Sequence, residues 1–224
     1  MGFNIAIDGP AGAGKSTIAK RAAQELSFIY VDTGAMYRAI ALGLLRRGTD
    51  IEDEAALAAA LDVTEVGICY MDGEQHVYLN GEDVSSLIRT ERVSDMTSRS
   101  SAIPAVRAKL TDLQRELARR ENVLMDGRDI GTMILPDADL KIFLTASVET
   151  RARRRYLEQA QKEENCSLEE IEKDIRERDY RDSHRETAPL RQAEDAVRID
   201  SSEMTIEEVV AEILRLVNER RGCL

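Results

Sequence analysis

The stretch AIDGPAGAGKST, residues 6 to 17, ends an apolar run with Gly9, Pro10, Ala11, Gly12, Ala13 and Gly14 before Lys15, Ser16 and Thr17. Glycine and proline break regular structure, so these residues are not placed to build a core. They fill the pattern G-x-x-x-x-G-K-[ST] completely. The apolar run FNIAI (3 to 7) before them reads as a buried strand, and the pattern from Lys15 to about Leu26 reads as a helix. This composition suits an anion. Several backbone N–H groups must turn inward around phosphate oxygens, glycine lets the backbone come close, and the helix N-terminus favours negative charge. Lys15 can reach β and γ phosphates, and the Ser16 hydroxyl can ligate Mg²⁺. The whole span from Gly9 to Thr17 is therefore assigned to nucleotide phosphates.

Further strands are expected at FIYV (28 to 31), NVLMD (122 to 126), LKIFL (140 to 144) and AVRID (196 to 200). Helical patterns lie between them. The alternation predicts an α/β fold, a five-stranded parallel sheet with helices on both faces. Residues 63 to 88 differ, with β-branched and aromatic runs split by Asp72-Gly73 and Asn80-Gly81, both hairpin-turn signals. We expect a small antiparallel insert there, with helix returning at Pro104. Ser167-Leu-Glu-Glu170 and Thr205 through Glu208 match the capping-box pattern. The chain is read as one domain carrying two excursions.

The sequence has 224 residues, 43% apolar and 33% charged, with a net charge of −11. That acidic balance argues against a nucleic-acid binder, whose affinity rests on phosphate contacts. Cys69, Cys166 and Cys223 suit neither a disulfide framework nor a zinc site, and imply a reducing, cytoplasmic compartment. No signal peptide or membrane span is expected. A monomer is expected, because no amphipathic surface is left without an intramolecular use.

An acceptor that is itself a phosphate ester needs cationic clamps, and arginine binds phosphate through two N–H groups. Arg38 and Arg128 lie just beyond the carboxyl ends of expected parallel strands, where open α/β sheets place ligands. Arg107 lies on the helix after Pro104. Arg178, Asp182 and Arg185 share one helical face. Arg151, Arg153, Arg154 and Arg155 form a basic run. Each has a plainer reading as a solvated surface charge. Asp126, which ends a strand, suits either water-mediated Mg²⁺ binding or a helix cap. Of the tyrosines from Tyr30 to Tyr78, only Tyr37, beside Arg38, is assigned to substrate, the others to packing. Neither His76 nor His184 has a triad or metal partner in sequence.

Together IDGPAGAGKST, VDTGAMYR, EDVSSLIRTERVS, IPAVR, MDGRDIGT, LKIFLTAS and RERDYRDSHRETAPL resemble the nucleoside monophosphate kinases, and more narrowly the bacterial cytidylate kinases. The phosphate loop alone is shared by many NTPases; the last of these segments with MDGRDIGT and VDTGAMYR is far more specific. The resemblance implies a P-loop NTPase fold with a β-rich acceptor-binding insert at 63–95 and a helical lid at about 148–165. It implies ATP, Mg²⁺ and CMP or dCMP as ligands. Ser98, Arg107 and Asp129 would contact the cytosine, with Thr33 assisting. Arg38 and Arg128 would hold the acceptor phosphate. Arg178 and Asp182 would bind ribose, Arg185 would lie near the phosphates, and Arg154 and Arg155 would belong to the lid. Lys15, Arg128, Arg154 and Arg185 form the catalytic set so implied. Thr33 departs from the family, where serine is common, but keeps the hydroxyl. Competing readings are a kinase for UMP, dTMP or shikimate, a GTP-binding switch, for which no N-K-x-D motif is present, and a nucleic-acid-stimulated ATPase.

Overall fold

The computed structural model describes residues 2–71, 73–160 and 167–222. The chain divides into two units, one comprising the residues up to Tyr30 and from Arg120 onward, the other Val31–Arg119.

In the first unit, β1 (Asn4–Asp8) leads into α1 (Lys15–Leu26) and then β2 (Ile29–Asp32), whose last residues enter the second unit. After Arg120 come β6 (Val123–Gly127), a π-helical turn (Ile130–Ile134), β7 (Leu140–Thr145), α6 (Val148–Ala160), α7 (Leu168–His184), β8 (Val197–Asp200) and α8 (Ile206–Gly222). The strands form the expected five-stranded sheet in the order β2-β6-β1-β7-β8. β1 runs parallel to both neighbours, with Ile5 opposite Leu124 on one side and Leu140 on the other. Parallel strands flanked on both sides are apolar throughout because both faces are covered. Ile5 and Ile7 join Ile18, Ala19 and Ala22 of α1 and Val210, Ile213 and Val217 of α8 in one core. The small alanines of α1 let that helix lie close to the sheet.

The second unit holds α2 (Thr33–Arg47), α3 (Glu54–Asp62), the antiparallel strands β3 (Val66–Met71), β4 (Glu74–Leu79) and β5 (Glu82–Asp83), then α4 (Glu91–Ser100) and α5 (Pro104–Arg120). The β4–β5 hairpin turns through Asn80 and Gly81, at φ 50° and 83°, the left-handed pair that a two-residue turn demands. Gly73 lies in the other turn at φ 78°, while Asp72 lies outside the described residues.

One expectation needs adjustment. Helix returns before Pro104: α4 starts behind Thr90, whose hydroxyl accepts the Val93 N–H at 3.3 Å. Its buried face is only Val93, Thr97 and Ser100, too polar to register as an apolar stripe. The π-helical turn at Ile130–Ile134 is likewise absent from the pattern reading. The helix start expected near Ser167 is found, with Ser167 at the N-cap of α7; its side chain makes no capping bond, whereas Thr205 and Glu208 close theirs in both directions, at 3.2 and 2.8 Å. At an exposed helix end water serves the free N–H groups as well, so the signature marks the boundary without guaranteeing the bond. Finally, the part of the expected lid from 161 to 165 lies outside the described residues, as do Cys166 and Cys223.

Candidate active site

Strand order places the site. β1, at the centre of the sheet, delivers the glycine-rich loop at its carboxyl end, and neighbouring β6 delivers Arg128 and Asp129 at the same end. Gly9 passes so close to β7 that a Cβ there would lie 1.9 Å from the Leu144 carbonyl oxygen. Gly14 is the N-cap of α1 in the left-handed region at φ 82°, which only glycine enters cheaply. Lys15 therefore begins the helix, and its Nζ, buried in the loop, donates to the Pro10 carbonyl at 2.7 Å. Burial is the main force holding its pKa well below the ordinary lysine value; Arg128 and Arg178 push the same way, and Asp126 and Asp8 partly oppose them. An anion beside Nζ would favour the charged form.

Ser16 and Thr17 face outward from the first turn of α1. The Ser16 hydroxyl donates to Asp126 Oδ2 at 2.9 Å, and the Tyr30 hydroxyl donates to Asp126 Oδ1 at 3.0 Å. Asp126 is thus a buried carboxylate at a strand end fixed by two hydroxyls, and Tyr30 does more than pack. A hydroxyl beside a carboxylate is a hard-oxygen set that suits Mg²⁺, an ion that keeps most of its waters. Among the described residues no group of three or more His, Cys, Asp or Glu side chains could hold a metal by protein ligands alone.

Beyond β6 the guanidinium groups gather. Arg128 Nε pairs with Asp182 Oδ2 at 2.9 Å, and Arg185 Nη2 lies 3.7 Å from Asp129 Oδ1. Arg185 Nε also donates to the Ala188 carbonyl at 2.8 Å. Burial raises the Asp182 pKa, but the charges of Arg128, Arg178 and Arg185 and the bond from Arg128 outweigh it and hold the carboxyl below its ordinary value. Asp182 thus orients Arg128, and Asp129 lies beside Arg185.

The basic run on α6 splits. Arg151 is 4% exposed and donates to the Ala11 and Ala146 carbonyls at 3.0 and 2.9 Å, while pairing with Asp179 at 2.7 Å. It braces the glycine-rich loop at Ala11. Arg154 donates to the Ser201 carbonyl at 2.6 Å, and Arg155 beside it is half-buried.

In the second unit, Asp32 caps α2 by accepting the Ala35 N–H at 2.9 Å. Arg38 and Arg89 lie 4.0 and 3.6 Å from its two carboxylate oxygens. Gln75 of the hairpin holds the Asp32 backbone at both N–H and carbonyl, at 2.8 and 3.1 Å. Thr33 and Tyr37 are buried on α2, and the Arg107 guanidinium lies over the Tyr37 ring at 5.6 Å. The Ser98 hydroxyl oxygen is buried with no hydrogen-bond partner among the described residues. A buried hydroxyl without a partner is costly, and a polar ligand would satisfy it.

Asp8, Tyr30, Gln75 and Arg89 are absent from the sequence assignment. Asp8 had a legible signal, since it ends an apolar strand as Asp126 does. The others carry none, because only folding brings them to their partners.

A sequence model of cytidylate kinase matches residues 5–219. The chain belongs to the cytidylate kinase family. A cytidylate kinase of Geobacillus kaustophilus is 51% identical over 98% of this chain and 98% of that protein. One of Lactobacillus johnsonii is 49% identical over 98% of this chain and 95% of its own length. Among solved structures, a shikimate kinase from Bacteroides thetaiotaomicron matches with a TM-score of 0.51 and 16% identity, covering 96% of this chain and 98% of that one. A shikimate kinase from Acinetobacter baumannii in complex with shikimate gives 0.50 and 19%, covering 98% of this chain and 94% of that one. At such identities the likeness establishes the P-loop kinase fold alone. Membership in the cytidylate kinase family rests on the sequence relatives.

Proposed function

We propose that this chain is an ATP-dependent cytidylate kinase, moving the γ-phosphoryl group of ATP to CMP or dCMP and releasing ADP with CDP or dCDP. Family membership over residues 5–219 carries the reaction class. The observation that carries the chemistry is the juxtaposition of buried Lys15 and the Ser16–Asp126 pair with the arginines around Asp182 and Asp129.

The bond from the γ-phosphorus to its bridging β-phosphate oxygen breaks as an oxygen of the acceptor phosphate forms a new one in line. The acceptor oxygen is already anionic, so no general base is required. Positioning and charge neutralisation do the work. Residues Gly9 to Thr17 bind the ATP phosphates, and Lys15 balances charge on the β and γ groups. Ser16, and Asp126 through water, would hold Mg²⁺, which when bound neutralises charge on the phosphates. Arg128 and Arg38 hold the acceptor phosphate, and Arg185 lies near the transferred group. Arg178 and Asp182 bind ribose. Ser98, Arg107 and Asp129 read the cytosine, with Thr33 and Tyr37 beside them. The unpartnered Ser98 hydroxyl supports that reading. Arg154 and Arg155 belong to the ATP side, where α6 forms the described part of a lid, while 63–95 serves the acceptor. The enzyme is read as a cytoplasmic monomer of nucleotide metabolism; among the described residues no helix is long and apolar enough to cross a membrane.

The test is ADP formation from MgATP with CMP, dCMP, UMP, dTMP, AMP and shikimate offered separately. Fast turnover with CMP and dCMP alone is expected. Turnover confined to another acceptor would overturn the base-reading assignment and keep the kinase.

A further inference from the structure

Asp8 is the last residue of β1, 5% exposed, immediately before the glycine-rich loop. Its two oxygens have separate partners: Oδ1 accepts the Ile130 N–H and Oδ2 the Gly131 N–H, both at 2.8 Å. Those N–H groups open the π-helical turn, where they have no partner within the turn itself. A carboxylate from another strand thus caps a turn more than a hundred residues away. The two residues just ahead of that turn are Arg128 and Asp129. The turn has little slack on its other side, since a Cβ on Gly131 would meet Lys141 Cδ at 3.2 Å and Asp8 Oδ2 at 3.4 Å.

We propose that Asp8 is a positioning residue for the acceptor side: by gripping the N–H groups of Ile130 and Gly131 it fixes the turn that aims Arg128 at the acceptor phosphate and Asp129 at the base. The inference rests on the kinase reading for what the turn does, but not for the grip itself. With both oxygens engaged and the side chain buried, Asp8 acts through the turn and not by touching substrate. Its ionised form is held at a cost, because burial pushes its pKa up to about 6 against the opposing bonds from Gly131 and Ile130. An asparagine would carry no charge, but it offers one acceptor where the turn needs two.

Two measurements on the full-length Asp8→Asn protein test this. Amide hydrogen exchange should quicken in peptides covering 128 to 134 and stay unchanged in α1. The KM for CMP should rise ~10-fold, the scale of losing an outer-shell partner, while the KM for ATP stays within about twofold. Unchanged exchange at 128 to 134 would overturn the proposal, as would an equal rise in both KM values or a loss of stability with both KM values intact. If the wild-type protein does not phosphorylate CMP, the kinase reading falls and the exchange measurement still decides the grip. Should Asp8→Asn fail to fold, Gly131→Ala, which keeps the carboxylate and crowds the turn, should reproduce the same local exchange and the CMP-side defect. Its failure to do so would count equally against the proposal.

Discussion

Ser16 and Asp126, 110 positions apart in the chain, meet at 2.9 Å, hydroxyl to carboxylate, where the central strand and its neighbour end. The pair joins the glycine-rich loop to β6, the strand that Arg128 follows. Asp126→Asn should leave the fold intact and raise the Mg²⁺ concentration needed for half-maximal activity by roughly 10-fold or more. A Mg²⁺ titration at fixed ATP and CMP measures it, and an unchanged midpoint would remove Asp126 from the metal site.

Lys15 begins α1 with its ammonium group buried in the loop. Lys15→Ala should reduce turnover by at least about 100-fold, the scale of losing one preorganised donor to transition-state charge. Far-UV circular dichroism should be unchanged, since the lysine contributes little to the core. Near-normal turnover would refute the phosphate-transfer role.

Arg151 is a strut, tying the Ala11 carbonyl of the loop to Asp179 on α7. Arg151→Ala leaves those groups short of a partner and should cost about 3 kcal/mol in urea unfolding, together with a raised KM for ATP. Arg151→Lys should recover only part of the loss, because a point charge cannot serve three sites in a plane as a guanidinium does.

Asp182 and Asp8 should show opposite pH dependence. The folded-state pKa of Asp182 is depressed, so its contribution to stability is present above the ordinary 3.8 and is lost as pH falls through the folded value. The stability advantage of wild type over Asp182→Asn should therefore be widest near neutrality and shrink in acid. An advantage that stays constant down to the acid transition would show that the arginines do not stabilise the ionised form.

The Asp8 pKa is raised from 3.8 to about 6, so its contribution is complete below the lower value and is lost as pH rises through the upper one. Between those limits the stability difference between wild type and Asp8→Asn should move in the variant's favour, by up to about 3 kcal/mol for two units. Thermal unfolding of both proteins across that range measures it. A difference independent of pH would mean that Asp8 ionises normally.

Local chemistry made much of this protein legible in the sequence alone. The loop from Gly9 to Thr17 declares itself because a phosphate cradle needs bare backbone at fixed spacing, and the central strands β1, β6 and β7 because strands covered on both faces are mostly apolar. The hairpin at Asn80-Gly81 follows from a backbone conformation few residues tolerate. Tertiary structure decided what depends on pairs distant in sequence. Whether an arginine binds ligand or braces the fold is set by what surrounds it: Arg151 and Arg154 stand in one basic run, yet the first is enclosed by two carbonyls and a carboxylate and the second reaches Ser201. Asp8 and Asp126 carry the same signature, a carboxylate ending an apolar strand. Only the fold turns one toward the N–H groups of a turn and the other toward two hydroxyls, because a side chain's partners come from neighbouring strands whose order the local sequence does not encode.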